Sequence, residues 1–179
     1  MIAIASGRLV CLTCLIVLSC AWPAPAQTGP HGYVVSGSAS QKRYYTPDAG
    51  PGLLAFYEHH PLIGGGFAWP LVRDRVWVAG DWTSRISGPY LDASGGPSLV
   101  VGAGQARLQP FAHGGYRAAD GGGAWNVGAG AHVWTGPRLG LRVEYQYQWR
   151  SSRHLFLNQA QSARLVTDRH MVRAGLVFR

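Results

Sequence analysis

The segment Arg138–Arg150, RLGLRVEYQYQWR, constrains the chain more than any other stretch. Leu139, Leu141, Val143, Tyr145, Tyr147 and Trp149 share one parity. Arg138, Gly140, Arg142, Glu144, Gln146, Gln148 and Arg150 share the other. Side chains alternate across a β-strand, so this period sets an unbroken apolar face against a face of charge, amide and glycine. A helix would mix the two sets on every face. At about 3.3 Å per residue the strand reaches roughly 40 Å, longer than the roughly five or six residues usual in soluble sheets.

The same period recurs along the chain. In Ala124–Trp134, Trp125, Val127, Ala129, Ala131 and Val133 oppose Asn126, Gly128, Gly130 and His132. In Val76–Ile86, Val76, Val78, Gly80, Trp82 and Ile86 oppose Trp77, Ala79, Asp81, Thr83 and Arg85. In His170–Arg179, Val172, Ala174, Leu176 and Phe178 oppose Arg173, Gly175, Val177 and Arg179. Four weaker segments follow the rule. Gly32–Lys42 sets Tyr33, Val35 and Ala39 against Ser36, Ser38, Ser40 and Lys42. Leu62–Leu71 sets Ile63, Phe67, Trp69 and Leu71 against Gly64, Gly66 and Ala68. Ser98–Leu108 and Gln109–Arg117 meet at a turn on Gln109-Pro110, with Gln105, Arg107, His113 and Arg117 on the polar parity. The total is eight strands, an even number.

Composition agrees. The chain has 25 glycines, 47% hydrophobic residues and only 13% charged residues. Glycine at that level disfavours long helices, since each interior Gly costs about 1 kcal/mol relative to Ala. The apolar content is too high for a solvated, disordered chain.

The first residues read as an export signal rather than as structure. Arg8 is followed by an apolar run from Leu9 to Ala21, then by Ala24-Pro25-Ala26, a small-x-small cleavage pattern. The run is too short for a spanning helix, which needs about 20 residues. The expected division is a signal peptide over 1–26 and one β domain over 27–179. Cys11, Cys14 and Cys20 all lie in the signal, so the exported chain would carry no thiol. An alternative cut at Val17-Leu18-Ser19-Cys20 would leave a lipid-bearing Cys20.

Connections alternate in length. Arg43–Pro61, Ser87–Pro97, Ala118–Gly123 and Ser151–Thr167 are the longer ones; those near Val72–Arg75, Gln109-Pro110 and Thr135–Pro137 are short. Barrels inserted from the periplasm have short periplasmic turns and longer outer loops. Export, strand length and loop alternation predict an all-β fold: an eight-stranded, antiparallel, up-and-down transmembrane barrel. A bilayer admits strands only in a closed set. Tyr145, Tyr147 and Trp149 near the outer end and Trp69 near the inner end suit interfacial girdles.

The signal, Gln109-Pro110-Phe111-Ala112-His113-Gly114, Trp125-Asn126-Val127-Gly128-Ala129-Gly130, Arg138-Leu139-Gly140-Leu141-Arg142 and Arg173-Ala174-Gly175-Leu176-Val177-Phe178-Arg179 together resemble the small eight-stranded outer-membrane barrels, of opacity-protein and OmpA transmembrane-domain type. The resemblance implies a non-enzymatic protein of the outer membrane, serving envelope integrity or surface interaction through its outer loops. It implies contact with outer-membrane lipid and insertion by the barrel-assembly machinery, reading Leu176 and Phe178 on the final strand. Here Phe178 is penultimate and Arg179 is last.

Eight strands enclose a lumen that side chains just fill. The expected inward polar set is Asp81, Arg85, Arg107, Arg117, Arg142, Glu144 and Arg173, a structural network of paired charges. No cofactor or metal site is expected: His59-His60 reads as a solvated loop pair, and His31, His113, His132 and His170 lack ligand spacing. A lipid-A-modifying enzyme is one rival reading. Glu144, Ser152 and His154 share a parity but span about 33 Å of extended chain, and the lipid-A deacylase signature His-x-Ser-Asn is absent. A soluble, lipocalin-like exported barrel with its apolar parity turned inward is the other. Arg150, Arg153, Arg164 and Arg169, with Asp168 beside them, suit lipopolysaccharide phosphates. Export and glycine-aromatic strands argue against nucleic acid, despite a net charge of +8.

Overall fold

A computed structural model describes residues 29–47, 54–72, 75–86, 93–103, 107–119, 122–155 and 162–179. The proposed signal peptide, and with it the choice between the two cuts, lies outside the described residues. Eight strands follow one another: β1 (His31–Pro47), β2 (Leu54–Val72), β3 (Val76–Arg85), β4 (Ala93–Gly102), β5 (Leu108–Ala119), β6 (Gly122–Trp134), β7 (Leu139–Leu155) and β8 (Ser162–Phe178). Each pairs antiparallel with its neighbours, and β1 pairs with β8, so the sheet closes into a barrel. No helix occurs among the described residues.

On β2 to β8 the apolar parity faces out. Phe67, Trp69, Val78, Trp82, Leu99 and Val127 are all exposed, as are Val143 and Leu176. Their opposite parity, including Asp81, Arg117, Arg142, Glu144 and Arg173, is buried in the lumen. This is the reverse of a water-soluble barrel, and it contradicts the inward apolar face that a lipocalin-like arrangement requires. Trp82, Tyr116, Trp125 and Trp149 project outward toward one end of the wall, and Trp69 and Phe178 toward the other. The first we call the upper end. The lower end holds the start of β1 and the finish of β8.

Four sequence expectations are corrected. The turn placed at Gln109-Pro110 is not there: β4 ends at Gly102, β5 begins at Leu108, and Pro110 sits inside β5, facing out. The Pro110 carbonyl accepts a bond from the Ala103 N–H at 2.9 Å. Its nitrogen therefore faces the β4 side just where that ladder ends, and the missing N–H costs no ladder bond. The long connections over Arg43–Pro61 and Ser151–Thr167 are mostly strand. The β1–β2 ladder continues to Tyr45↔Leu54 and the β7–β8 ladder to Leu155↔Ser162. With the pairs redrawn, connection length no longer alternates: residues 120–121 link β5 to β6 at the upper end, a shorter link than 103–107 at the lower. The upper end is distinguished by wall height. β1, β2, β7 and β8 run 17, 19, 17 and 17 residues, against 10 each for β3 and β4. One side of the barrel thus stands above the other.

The third correction concerns the histidine pair, which lies in β2: His59 is exposed and His60 is buried in the barrel. The fourth concerns β1, whose polar parity faces out. Tyr33, Val35 and Ala39 point into the lumen, and Ser36 and Ser38 point out. The reason is local packing. Tyr33 and Val35 join Trp134 and Val177 in one apolar cluster, and Ala39 joins Leu62 and Met171 in another. Parity on a strand is all or nothing, so burying these residues sends the serines outward. If this face meets hydrocarbon, Ser36→Val and Ser38→Val each raise stability by about 0.5–2 kcal/mol. Urea unfolding of the barrel in lipid vesicles measures this; a loss of stability would place the stripe in water or against protein.

Candidate functional site

The lumen has three levels. The lowest is an aromatic plug. His31 packs edge-on to Trp77, His132 and Trp134, with ring centroids 6.2, 5.1 and 6.3 Å away. Phe111 stacks on His132 at 4.7 Å. The Trp134 indole N–H donates to Gln109 Oε1 at 2.9 Å, so this polar tip is satisfied inside the plug.

The middle level is a belt of charge. Arg142 donates through Nε to Glu144 Oε2 at 2.6 Å and through Nη1 to His132 Nε2 at 2.7 Å. Its guanidinium lies between two rings, 4.0 Å from the Tyr33 centroid and 4.3 Å from the Phe111 centroid. Such cation–π contacts strengthen once desolvated. Glu144 also pairs with Arg173, and Arg173 reaches Asp81 Oδ2 at 3.3 Å. Arg117 meets the same oxygen at 3.1 Å. It also donates to Thr83 Oγ1 at 3.1 Å, to the Ser94 carbonyl at 2.8 Å and to Gln146 Oε1 at 3.3 Å. The charges alternate along one chain: Arg142, Glu144, Arg173, Asp81, Arg117. Arg117 and Arg173 are fully buried. Buried charges persist only when paired in this manner.

Close packing here needs glycine. A Cβ on Gly130 would sit 2.8 Å from the Phe111 ring and 2.3 Å from the Val143 carbonyl oxygen; a Cβ on Gly66 would sit 2.5 Å from the Tyr33 hydroxyl. The inward glycines are thus sites of close approach.

Of the seven residues expected in the lumen network, Asp81, Arg117, Arg142, Glu144 and Arg173 meet in the belt. Arg107 stands outside it, in the connection between β4 and β5, because β5 begins one residue later. Arg85 faces inward but higher, 3.5 Å from Glu58. The sequence reading missed Tyr33, Phe111, Thr83 and Gln146 as belt members, and Glu58 altogether. Parity alone would have found Thr83 and Gln146. Glu58 was hidden by the reading of its segment as a loop.

The upper level lies against the raised wall. Arg169 donates through Nε to Gln41 Oε1 at 2.7 Å. Arg43 Nη2 and Arg85 Nη1 share one carboxylate oxygen, Glu58 Oε2, at 3.7 and 3.5 Å. Arg150 carries the inward parity of β7 to the same height, opposite Thr167. Leu176 and Phe178 lie on the outer face of β8 at the lower end, where the Phe178 ring covers Gly32 of β1.

No protein-family profile matches the chain, and no curated protein sequence matches it. Solved structures do. The crystal structure of Neisserial surface protein A superposes with a TM-score of 0.55 at 15% identity, covering 82% of this chain and 96% of that one. The solid-state NMR structure of the outer membrane protein AlkL in DMPC bilayers gives 0.50 at 13% identity, over 88% of this chain and 93% of that one. This chain has the fold of the small eight-stranded outer-membrane barrels. An outer-membrane-type barrel explains the exposed aromatic and aliphatic wall, which water would not tolerate over so large an area.

Proposed function

We propose that this chain is a non-enzymatic outer-membrane barrel whose lumen is a structural strut and whose working surface is its outer end, serving envelope integrity or surface interaction. The observation that carries the reading is the inside-out partition: an apolar outer wall around a linked series of five paired charges. The belt and the aromatic plug set buried side chains across the lumen, which argues against a diffusion path, in keeping with the geometry of eight strands. Glu144, the acid of the rival catalytic reading, is held by two guanidiniums in the belt, which argues against its service as a general base. The side chains of Ser152 and His154 lie outside those described.

In this reading the lower end faces the periplasm and the raised wall faces outward. Outer-membrane lipid surrounds the wall, and Leu176 and Phe178 on the outer face of β8 serve the assembly machinery. Of the arginines expected to meet lipopolysaccharide phosphates, Arg150 and Arg169 face the lumen, and the side chains of Arg153 and Arg164 lie outside those described.

Topology is tested by cysteine labelling. If the signal is cleaved the chain has no thiol of its own, since all three cysteines precede residue 21. Ala55→Cys, on the raised wall, should react with a membrane-impermeant maleimide in intact cells. Thr135→Cys, in the opposite turn, should react only after the outer membrane is permeabilised. Labelling in the reverse order, or equal labelling of both, overturns the reading. A soluble fraction with no difference in gel mobility between boiled and unboiled protein would also overturn it.

A further inference from the structure

We propose that the inner face of the upper rim is a binding site for phosphate groups on a polyanion, with Arg43 of β1 and Arg85 at the end of β3 as its principal ligands and Glu58 of β2 as a built-in competitor. The site lies above the charge belt, on inward positions of β1, β2, β3, β7 and β8.

The first support is charge. Arg43, Arg85, Arg150 and Arg169 all carry the inward parity at or above the belt; among the described residues Glu58 is the acid facing inward at this level, while Asp168 takes the outward parity and accepts from the Tyr147 hydroxyl. The second is the quality of the pairing. Arg43 and Arg85 both address one oxygen of Glu58, at 3.7 and 3.5 Å. Charge-assisted bonds of this type close to about 2.7–2.9 Å when they are fully made. One carboxylate oxygen therefore holds two guanidiniums loosely. Arg85 Nε is buried without a partner. A phosphate offers three oxygens where Glu58 offers one, and the fork of an arginine matches it bidentately.

The third support is spacing and access. Arg43 and Arg150 both lie opposite Thr167 on β8, one on each side. Two strand spacings separate their backbones by roughly 10 Å, which suits neighbouring phosphates rather than a single small anion. Arg43 and Arg85 keep 34% and 28% of their side-chain surface exposed. This deepens the reading of the raised wall as the outward surface and rests on it for the ligand's source. The phosphates come from a lipid headgroup leaning over the rim or from a free polyphosphate.

The experiment uses the full chain folded in an uncharged detergent, with inorganic tripolyphosphate as the free probe and vesicles of phosphatidylcholine with and without lipid A as the headgroup probe. Binding is read by calorimetry and by co-flotation. The double variant Arg43→Gln/Arg85→Gln should weaken binding about tenfold or more, with the boiled-versus-unboiled gel shift intact. Arg75→Gln at the opposite end should leave it unchanged. Glu58→Gln should tighten binding about threefold, by releasing both guanidiniums. Tripolyphosphate binding alone assigns the site to free polyanions, and lipid A binding alone assigns it to the headgroup layer. No binding of either probe, binding undiminished in the folded double variant, or weaker binding in Glu58→Gln overturns the proposal. Should the double variant not fold, the sign of the Glu58→Gln effect decides by itself. Because binding is measured outside any cell, a chain that binds phosphate but labels in the reverse order in intact cells keeps the site and loses the topology.

Discussion

Glu144→Ala is expected to lower the unfolding free energy by about 3–5 kcal/mol, the usual cost of removing one partner from a buried pair. Glu144 is the one acid bonded to both Arg142 and Arg173, and both guanidiniums are buried. Removing it leaves Arg142 with His132 and two rings, and Arg173 with Asp81. Asp81→Ala should cost a similar amount, since Arg117 and Arg173 both depend on Asp81 Oδ2. The double variant should cost more than the two losses added, because each single loss leaves Arg173 one carboxylate and the double leaves it none. Urea titration of the barrel in vesicles, followed by tryptophan fluorescence and by gel mobility, measures all three. A Glu144→Ala loss below about 1 kcal/mol would show the belt to be a wet, weakly coupled set of charges.

The second large effect is expected at Gly175. A Cβ there would lie 1.9 Å from the Val34 carbonyl oxygen and 2.6 Å from the Val35 Cα. Both are backbone atoms of β1, across the seam that closes the barrel, so no side-chain rotamer relieves the clash. Gly175→Val should abolish the unboiled, fast-running band and leave the chain aggregated or degraded. Gly80→Ala is the matched control, since a Cβ at Gly80 meets nothing within 4 Å. It should fold as the parent does. A folded Gly175→Val barrel would mean that β1 and β8 slide apart at the seam without loss.

These effects also show where the amino-acid pattern was informative. β7 and the lower half of β8 were legible because one face meets an apolar medium and the other meets charge, and period two records that contrast directly. Arg142, Glu144 and Arg173 followed from the same contrast. The upper ends of these strands, beyond Lys42 on β1 and Arg150 on β7 and before Leu62 on β2 and His170 on β8, were illegible for the same reason. Above the girdle both faces of a strand are wet, the contrast disappears, and backbone pairing continues with no signature in the side chains. Glu58 was lost with them. β1 fails differently: its lumen-side neighbours Trp134, Val177 and Met171 are apolar, so its alternation is real but carries the opposite sense. Pro110 misled because a proline signals a turn unless its nitrogen happens to face the end of a ladder, which only the register reveals.

The seam has one more consequence. β1 pairs with β8 from Gly32↔Phe178 to Pro47↔Ala163, so the first strand's partner on that side is the last to be synthesised. Until β8 arrives, β1 offers a free edge, and hydrocarbon cannot satisfy an open row of N–H and C=O groups. The chain therefore has no half-inserted resting state that is low in energy. Such distant pairing also makes closure intrinsically slow. The nascent barrel must be kept from the bilayer and from its own kind until β8 is in place, so its cellular yield should depend on escort before closure more than on the strength of any single contact in the finished barrel.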